Sequence, residues 1–232
     1  MMELREEGQQ VHPSRLTLNA IPSNFLEWLA SSRIKFLNDM LEGRPMRYFS
    51  AHLPVMATWR QSDPYPVNMT VKGIGLIPKD EYLQDYTDMF EAAIAEARTE
   101  SWQESLPKRI EVMNTLYRDP CNFNPAVLGG LEIFEGKAFE NLRDNPNASL
   151  LYVGMAHSPH GMRYISFQVN GYVELLEKGN PCYRFLLASR KLFEFEKFHL
   201  YQPDYPFGYL IRVAEVRDKA PWSRIPGENR CR

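Results

Sequence analysis

The segment Met162 to Glu177, MRYISFQVNGYVELLE, limits the fold more than any other part of the chain. Ile165, Phe167 and Val169 alternate with Ser166, Gln168 and Asn170. A period of two sends successive side chains to opposite faces, so this is a strand with one apolar face and one face of hydrogen-bonding groups. The apolar set is expected to point into the core. The polar set is left free to meet a ligand.

Other elements follow from the same reading. In IPSNFLEWLASSRIKFLNDMLEG, Phe25, Leu26, Leu29, Ile34, Leu37 and Leu41 recur at helical spacing, with Gly43 and Pro45 beyond the end. From Arg47 to Leu76 the runs HLPVMATW and VNMTVKGIGL flank SDPYP, which predicts a pair of strands joined by a tight polar loop. Lys79 to Arg98 is helical, with a wide apolar stripe that includes Leu83, Phe90 and Ala93. A second helix is predicted from Pro107 to Tyr117, because proline is favoured in a first turn. RDPCNFNPAVLGG reads as a loop. Gly179-Asn180-Pro181 supplies a cap and a first-turn proline for a helix running to about Phe198, and PFGYLIRVAEV is a last strand before a polar tail that carries Trp222.

Composition narrows the function classes. With 232 residues, 44% hydrophobic and 24% charged, the chain can bury a substantial core. A net charge of −2 gives no basic surplus to neutralise a phosphate backbone, so nucleic acid is not expected as a partner. The polar N-terminus has no apolar leader and no later stretch is long enough to span a bilayer, which predicts a cytoplasmic protein with no membrane partner. Cys121, Cys182 and Cys231 are odd in number and far apart, and read as free thiols rather than a disulfide framework or a zinc site. No G-x-S-x-G elbow and no glycine-rich phosphate loop occurs.

The stretch Glu132 to Met155, EIFEGKAFENLRDNPNASLLYVGM, carries the functional signal. If Leu131 to Phe134 is a strand and Lys137 to Arg143 a helix, the helix start offers unpaired N–H groups and the positive end of its dipole beside a lysine, a combination suited to phosphate. Taken alone, Gly136-Lys137 reads first as a solvated helix turn and only second as an anion site. The wider order adds to it: Asn141-Leu142, Asn145-Pro146, Ala148-Ser149-Leu150-Leu151, then Gln168-Val169-Asn170-Gly171-Tyr172-Val173-Glu174. With YPVNMTVKG before them and YLIRVAEVRDKAPWS after them, these residues resemble the flavin-binding split-barrel family of pyridoxamine 5'-phosphate oxidase.

The resemblance implies a mainly β chain with added helices (α+β), a split β-barrel of the FMN-binding type. Its organisation would be an N-terminal segment and helix over 1–45, a barrel domain over 46–222 with a helical insertion at 79–117, and a tail over 223–232. It implies an FMN-dependent oxidoreductase acting on a small molecule at a homodimer interface. Lys137 and Arg143 would contact the flavin phosphate, Asn68, Met69 and Thr70 would line the ring, and Ser166 and Gln168 would face the ring or ribityl chain. The family's basic phosphate cluster is reduced here to one lysine, and the residues that hold the oxidase's substrate phosphate are not recognisable. No catalytic residue is identified and no metal is expected. Some relatives hold haem in place of flavin, and His157 or His199 would be the axial candidates in that case; without haem, His157 and His160 read as solvated loop residues. A non-enzymatic flavin-binding or regulatory module is the third class. The insertion is not explained by the resemblance. Its stripe is too wide for a free surface helix, so it is expected to cover the barrel's open end or a partner subunit, beside the flavin, and to set substrate choice.

Overall fold

A computed structural model describes residues 19–45, 48–62, 64–158, 161–194 and 204–221. Seven strands form one antiparallel sheet: β1 (Val55–Trp59), β2 (Val67–Val71), β3 (Ile74–Pro78), β4 (Phe123–Glu132), β5 (Asn147–Ser158), β6 (Gly161–Leu176) and β7 (Phe207–Asp218), in the order β2-β1-β5-β6-β7-β4-β3. The helices are α1 (Ser23–Leu41), α2 (Asp80–Glu96), α3 (Trp102–Tyr117), α4 (Lys137–Asp144) and α5 (Pro181–Lys191).

β2 and β3 stand at opposite ends of the strand order, yet only Lys72 and Gly73 separate them in the chain. The two ends of the sheet must therefore meet. They do so just before β1, where the Ile74 N–H donates to the His52 carbonyl at 2.9 Å and the Lys72 N–H donates to the Pro54 carbonyl at 3.2 Å. The sheet curls until its ends touch at that corner and stays open beyond it, which is the α+β split β-barrel that the sequence predicts. A pair of ions pins the corner: Lys72 Nζ reaches both carboxylate oxygens of the buried Glu132, at 2.9 and 2.8 Å. No helix of the described residues is long and apolar enough to cross a membrane.

The β6 alternation is realised. Phe167 and Val169 are buried and Ile165 packs against them, while Ser166 and Gln168 project from the opposite face. α1 lies on the inner face, its Phe25 ring 4.2 Å from that of Phe167 and 5.1 Å from that of Tyr152. Gly171 marks a shift in the β6–β7 register: a Cβ there would lie 2.7 Å from the Arg212 carbonyl, so only glycine lets the strands approach so closely.

Four sequence expectations are corrected. VNMTVKGIGL is not one strand but β2 and β3, divided at Lys72-Gly73. RDPCNFNPAVLGG is not a loop: its second half is the start of β4, whose Val127 to Gly130 are buried in succession because β3 and β7 flank it and α5 packs on it, and double coverage erases the period of two. The second inserted helix starts at Trp102 rather than Pro107. A capping box decides this, with the Ser101 N–H donating to Glu104 Oε2 at 2.9 Å and the Glu104 N–H donating to Ser101 Oγ at 3.3 Å. The last helix ends at Lys191, short of Phe198, which lies outside the described residues. The Asn180 cap is as expected, its side chain accepting from the Cys182 N–H at 2.8 Å.

The inserted helices pack within their own chain. α2 lies on α3 and α5, α3 lies on α1, and the Phe90 and Phe185 rings are 5.7 Å apart. Phe90, Met113 and Leu116 are fully buried, so the stripe belongs to the core of this chain. Cys121 and Cys182 are free thiols, and Cys231 lies outside the described residues.

Candidate functional site

Helix α4 is clamped to the barrel by its own sequence. Ala138, Phe139, Asn141 and Leu142 are buried, Phe139 stacks on Phe207 at 4.9 Å, and Asn141 Nδ2 donates to Thr58 Oγ1 at 3.2 Å. Asn145 Nδ2 reaches the Trp59 carbonyl at 3.4 Å, so Asn145-Pro146 ends the helix against the end of β1. At the other end the cap residue is Gly136, which has no side chain to accept from the first-turn N–H groups. Lys137 stands beside them, its side chain 44% exposed and 3.9 Å from the Glu140 carboxylate. Backbone donors, a dipole end and a half-exposed ammonium form a donor set that fits a phosphate. Arg143 is exposed in the last turn of the same helix, at the opposite end from those N–H groups.

The β1–β2 register sorts the next three residues. Asn68 lies opposite Thr58 and Thr70 opposite Met56, and both partners are completely buried, so Asn68 and Thr70 face inward beneath α4. Met69 faces out and is 66% exposed. The outer face continues in rows across the sheet. Met69 leads through Ala57, Ser149 and Asn170 to Glu215, and Val71 leads through Val55, Leu151 and Gln168 to Arg217. Ser166 is opposite Val153 in the next row.

These rows carry a polar chain set in apolar surroundings. Ser149 Oγ and Gln168 Nε2 both donate to Asn170 Oδ1, at 2.7 and 2.9 Å, and Asn170 Nδ2 donates to Glu215 Oε2 at 2.7 Å. Arg217 Nε donates to the other Glu215 oxygen at 2.7 Å. The Arg217 guanidinium, with help from Asn170, holds the Glu215 carboxyl below its usual range. Around this chain Val153, Met155, Met162 and Tyr164 are each more than half exposed.

The sequence-predicted residues are therefore divided. Met69, Ser166 and Gln168 share the outer face; Asn68 and Thr70 point to the inner one; Lys137 and Arg143 stand at opposite ends of α4. Two larger cavities are present, and none of the seven residues lines either. One, of about 740 Å³, runs between α1 and the β5–β6 strands, where Val153, Met155 and Tyr164 line it. The other, of about 510 Å³, lies between α1 and α5 over β3 and β4, and includes Arg33, His52 and Arg190. Sequence reasoning missed this trio. The available signal was Arg33, which sits midway between Leu29 and Leu37 on the buried stripe of α1. His157 pairs with Met162 through its backbone, its side chain is not described, and His160 and His199 lie outside the described residues. Among the described residues no three His, Cys, Asp or Glu side chains group to hold a metal.

No protein-family model matches the chain, and no curated protein is similar to it. Among solved structures it is similar to Group A Streptococcus HupZ, at 11% identity over 81% of this chain and 94% of that one, with a TM-score of 0.41. It is also similar to an FMN-binding protein from Syntrophomonas wolfei, at 8% identity over 84% and 92% of the two chains and a TM-score of 0.41. A third similar structure is HutZ, the heme storage protein from Vibrio cholerae, at 8% identity over 72% and 85% and a TM-score of 0.39.

Proposed function

We propose that this chain binds FMN at the interface of a homodimer formed through the outer face of β2, β1, β5 and β6, and that it carries out flavin-dependent redox chemistry on a small molecule. The observation that carries the reading is that face. Met69, Val71, Leu151, Val153, Met155 and Tyr164, exposed by 66, 49, 37, 52, 58 and 57%, follow one another along the rows of that face. A contiguous apolar patch on a protein surface marks an interaction site. Beside Met69, Ser166 and Gln168, which line neither cavity, the face gives a planar ring one wall only, whereas a small-molecule site buries roughly 70–90% of its ligand. A two-fold axis supplies the second wall by setting the same face of another copy against it.

In such a site Lys137 and the first-turn N–H groups of α4 would hold the phosphate. Met69 would pack on the ring, and Ser166 and Gln168 would meet its polar edge or the ribityl chain. Among the described residues β2 pairs with β1 on one side only, so there the backbone groups of residues 67–71 that point away from β1 are open to hydrogen bonding. Asn68 and Thr70 would act through that backbone, since their side chains face inward. Arg143, at the far end of α4, does not fit the phosphate site. When bound, the flavin supplies the electron and hydride chemistry, and the protein fixes ring and phosphate and keeps water away.

The test is the absorbance spectrum of the purified protein together with its mass in solution. Flavin bands and a dimer are expected, and Val153→Asp, at an exposed position, should give a folded monomer that no longer retains FMN. A Soret band in place of flavin bands would replace FMN with haem. A monomer that holds FMN as tightly as the unmodified protein would remove the interface from the site.

A further inference from the structure

The cavity between α1 and α5 takes no part in the flavin reading, yet its chemistry is specific. Its floor is the β3–β4 strand pair, where Gly73 and Gly75 leave side chains out and the Gly129 and Gly130 backbone also lines the space. A Cβ on Gly73 would lie 3.5 Å from His52 Nε2, and one on Gly75 would lie 3.7 Å from the same ring and 3.8 Å from the Tyr117 hydroxyl, so any longer side chain would project into the space. One wall is a stack of flat rings: Phe36 on Phe49 at 4.5 Å and 5°, then Phe49 on His52 at 5.7 Å and 28°. At about 510 Å³ the space lies in the range of small-molecule sites, roughly 300–1,000 Å³.

The charges in the lining are all of one sign. Arg33 and Arg190 line the cavity, and no carboxylate does among the described residues. Arg190 is partly satisfied from behind, its Nε donating to the Tyr205 hydroxyl at 3.0 Å and lying 3.8 Å from Glu194. Arg33 is not. Its guanidinium sits between the Phe49 and Phe193 rings, at 5.6 and 5.5 Å, and its buried Nε has no hydrogen-bond partner among the described residues. A buried guanidinium that stacks on rings but lacks an anion is costly unless something supplies one. His52 does not compete for that role: burial first, then the Arg33 charge, pushes its imidazole down to about 3, so it is neutral at physiological pH.

We infer that this cavity is a binding site for a small planar aromatic molecule bearing an acidic group, its ring laid over Gly73 and Gly75 against the Phe36–Phe49–His52 stack and its anion met by Arg33 and Arg190. The site is separate from the proposed flavin site, and the two readings fail separately.

The probes are anilinonaphthalene sulfonate and phenylnaphthylamine, which share a ring body and differ in the anion, each titrated into the full chain by its fluorescence. The sulfonate is expected to bind roughly tenfold or more tightly than the amine, the scale of a charge-assisted contact in an apolar site. Arg33→Met should reduce that preference severalfold, Arg190 keeping the rest, and leave the amine's affinity unchanged. Gly73→Phe, at a position with no left-handed backbone requirement, should weaken both probes by filling the floor. FMN should not displace the sulfonate. Equal affinity for the two probes, a preference undiminished by Arg33→Met in folded protein, unchanged binding to Gly73→Phe, or displacement by FMN would each overturn the inference. If Arg33→Met fails to fold, the probe pair on the unmodified protein and Gly73→Phe still decide it.

Discussion

Truncating Phe167 to alanine tests the strand facing on which both the core and the outer face depend. Phe167 is 6% exposed, its ring stacks on Phe25 at 4.2 Å and 20°, and Tyr152 lies opposite it on β5. The neighbours are held by their own strands and by α1, so they will close only part of the space left behind. Core Phe→Ala changes cost about 3–5 kcal/mol, and the lost ring pair accounts for about 0.5–1.5 kcal/mol of that, so we expect about 4 kcal/mol here. For a chain of this size that lowers Tm by roughly 8–16 °C. The matched control is the adjacent Gln168→Ala. It removes one hydrogen bond, Nε2 to Asn170 Oδ1 at 2.9 Å, and Asn170 keeps the Ser149 hydroxyl as a donor. Its cost should not exceed about 1 kcal/mol. Urea unfolding followed by circular dichroism, with thermal melts of the same variants, gives both numbers. If the two variants lost the same stability, or Gln168→Ala lost more, the register would be wrong, and the outer face with it.

Three further outcomes follow from particular groups. Lys137→Ala should weaken FMN by about 1–3 kcal/mol in a flavin-fluorescence titration, and unchanged affinity would leave the α4 start with a structural role only. Lys72→Met strands the Glu132 carboxylate, which is 1% exposed and, among the described residues, otherwise accepts only from the Phe134 N–H, and should cost about 3–5 kcal/mol; adding Glu132→Gln should recover part of it in the denaturation midpoint, and no recovery would refute the pairing. The His52 imidazole, held at about 3 by burial and Arg33, takes up its proton more readily in the unfolded chain, so its contribution to stability is complete above pH ~6.5 and is lost as pH falls towards 3, by at most about 1.4 kcal/mol per unit. Between pH 6.5 and 5, above the range in which the lowered carboxyls of Asp39, Glu104 and Glu215 titrate, His52→Phe should flatten the stability profile, and an unchanged slope would contradict the burial of the ring.

Local signals sufficed wherever one face of an element meets water. The alternation of β6, the stripe of α1, the Asn180 cap and the Gly136-Lys137 opening of α4 could all be read from the sequence, because a half-exposed element must pattern its residues with the period of its own backbone. Where an element is covered on both sides the pattern vanishes, which is why β4 reads as a loop. The Lys72-Gly73 junction looks like the middle of one strand, because nothing local records that the two halves pair at opposite ends of the sheet. A capping box at Ser101 overrode the proline signal at Pro107, a competition between two local rules that composition does not settle. The candidate site divides along the same line. The polar face of β6 is a sequence fact, but the inward turn of Asn68 and Thr70 is set by pairing with Thr58 and Met56, and Arg143 is remote from the first-turn N–H groups because it stands at the other end of the helix. Arg33, His52 and Arg190 are far apart in the chain and come together only when α1, the corner before β1 and α5 converge on the glycine floor of β3 and β4. Such a convergence is set by long-range packing, which no window of the sequence contains.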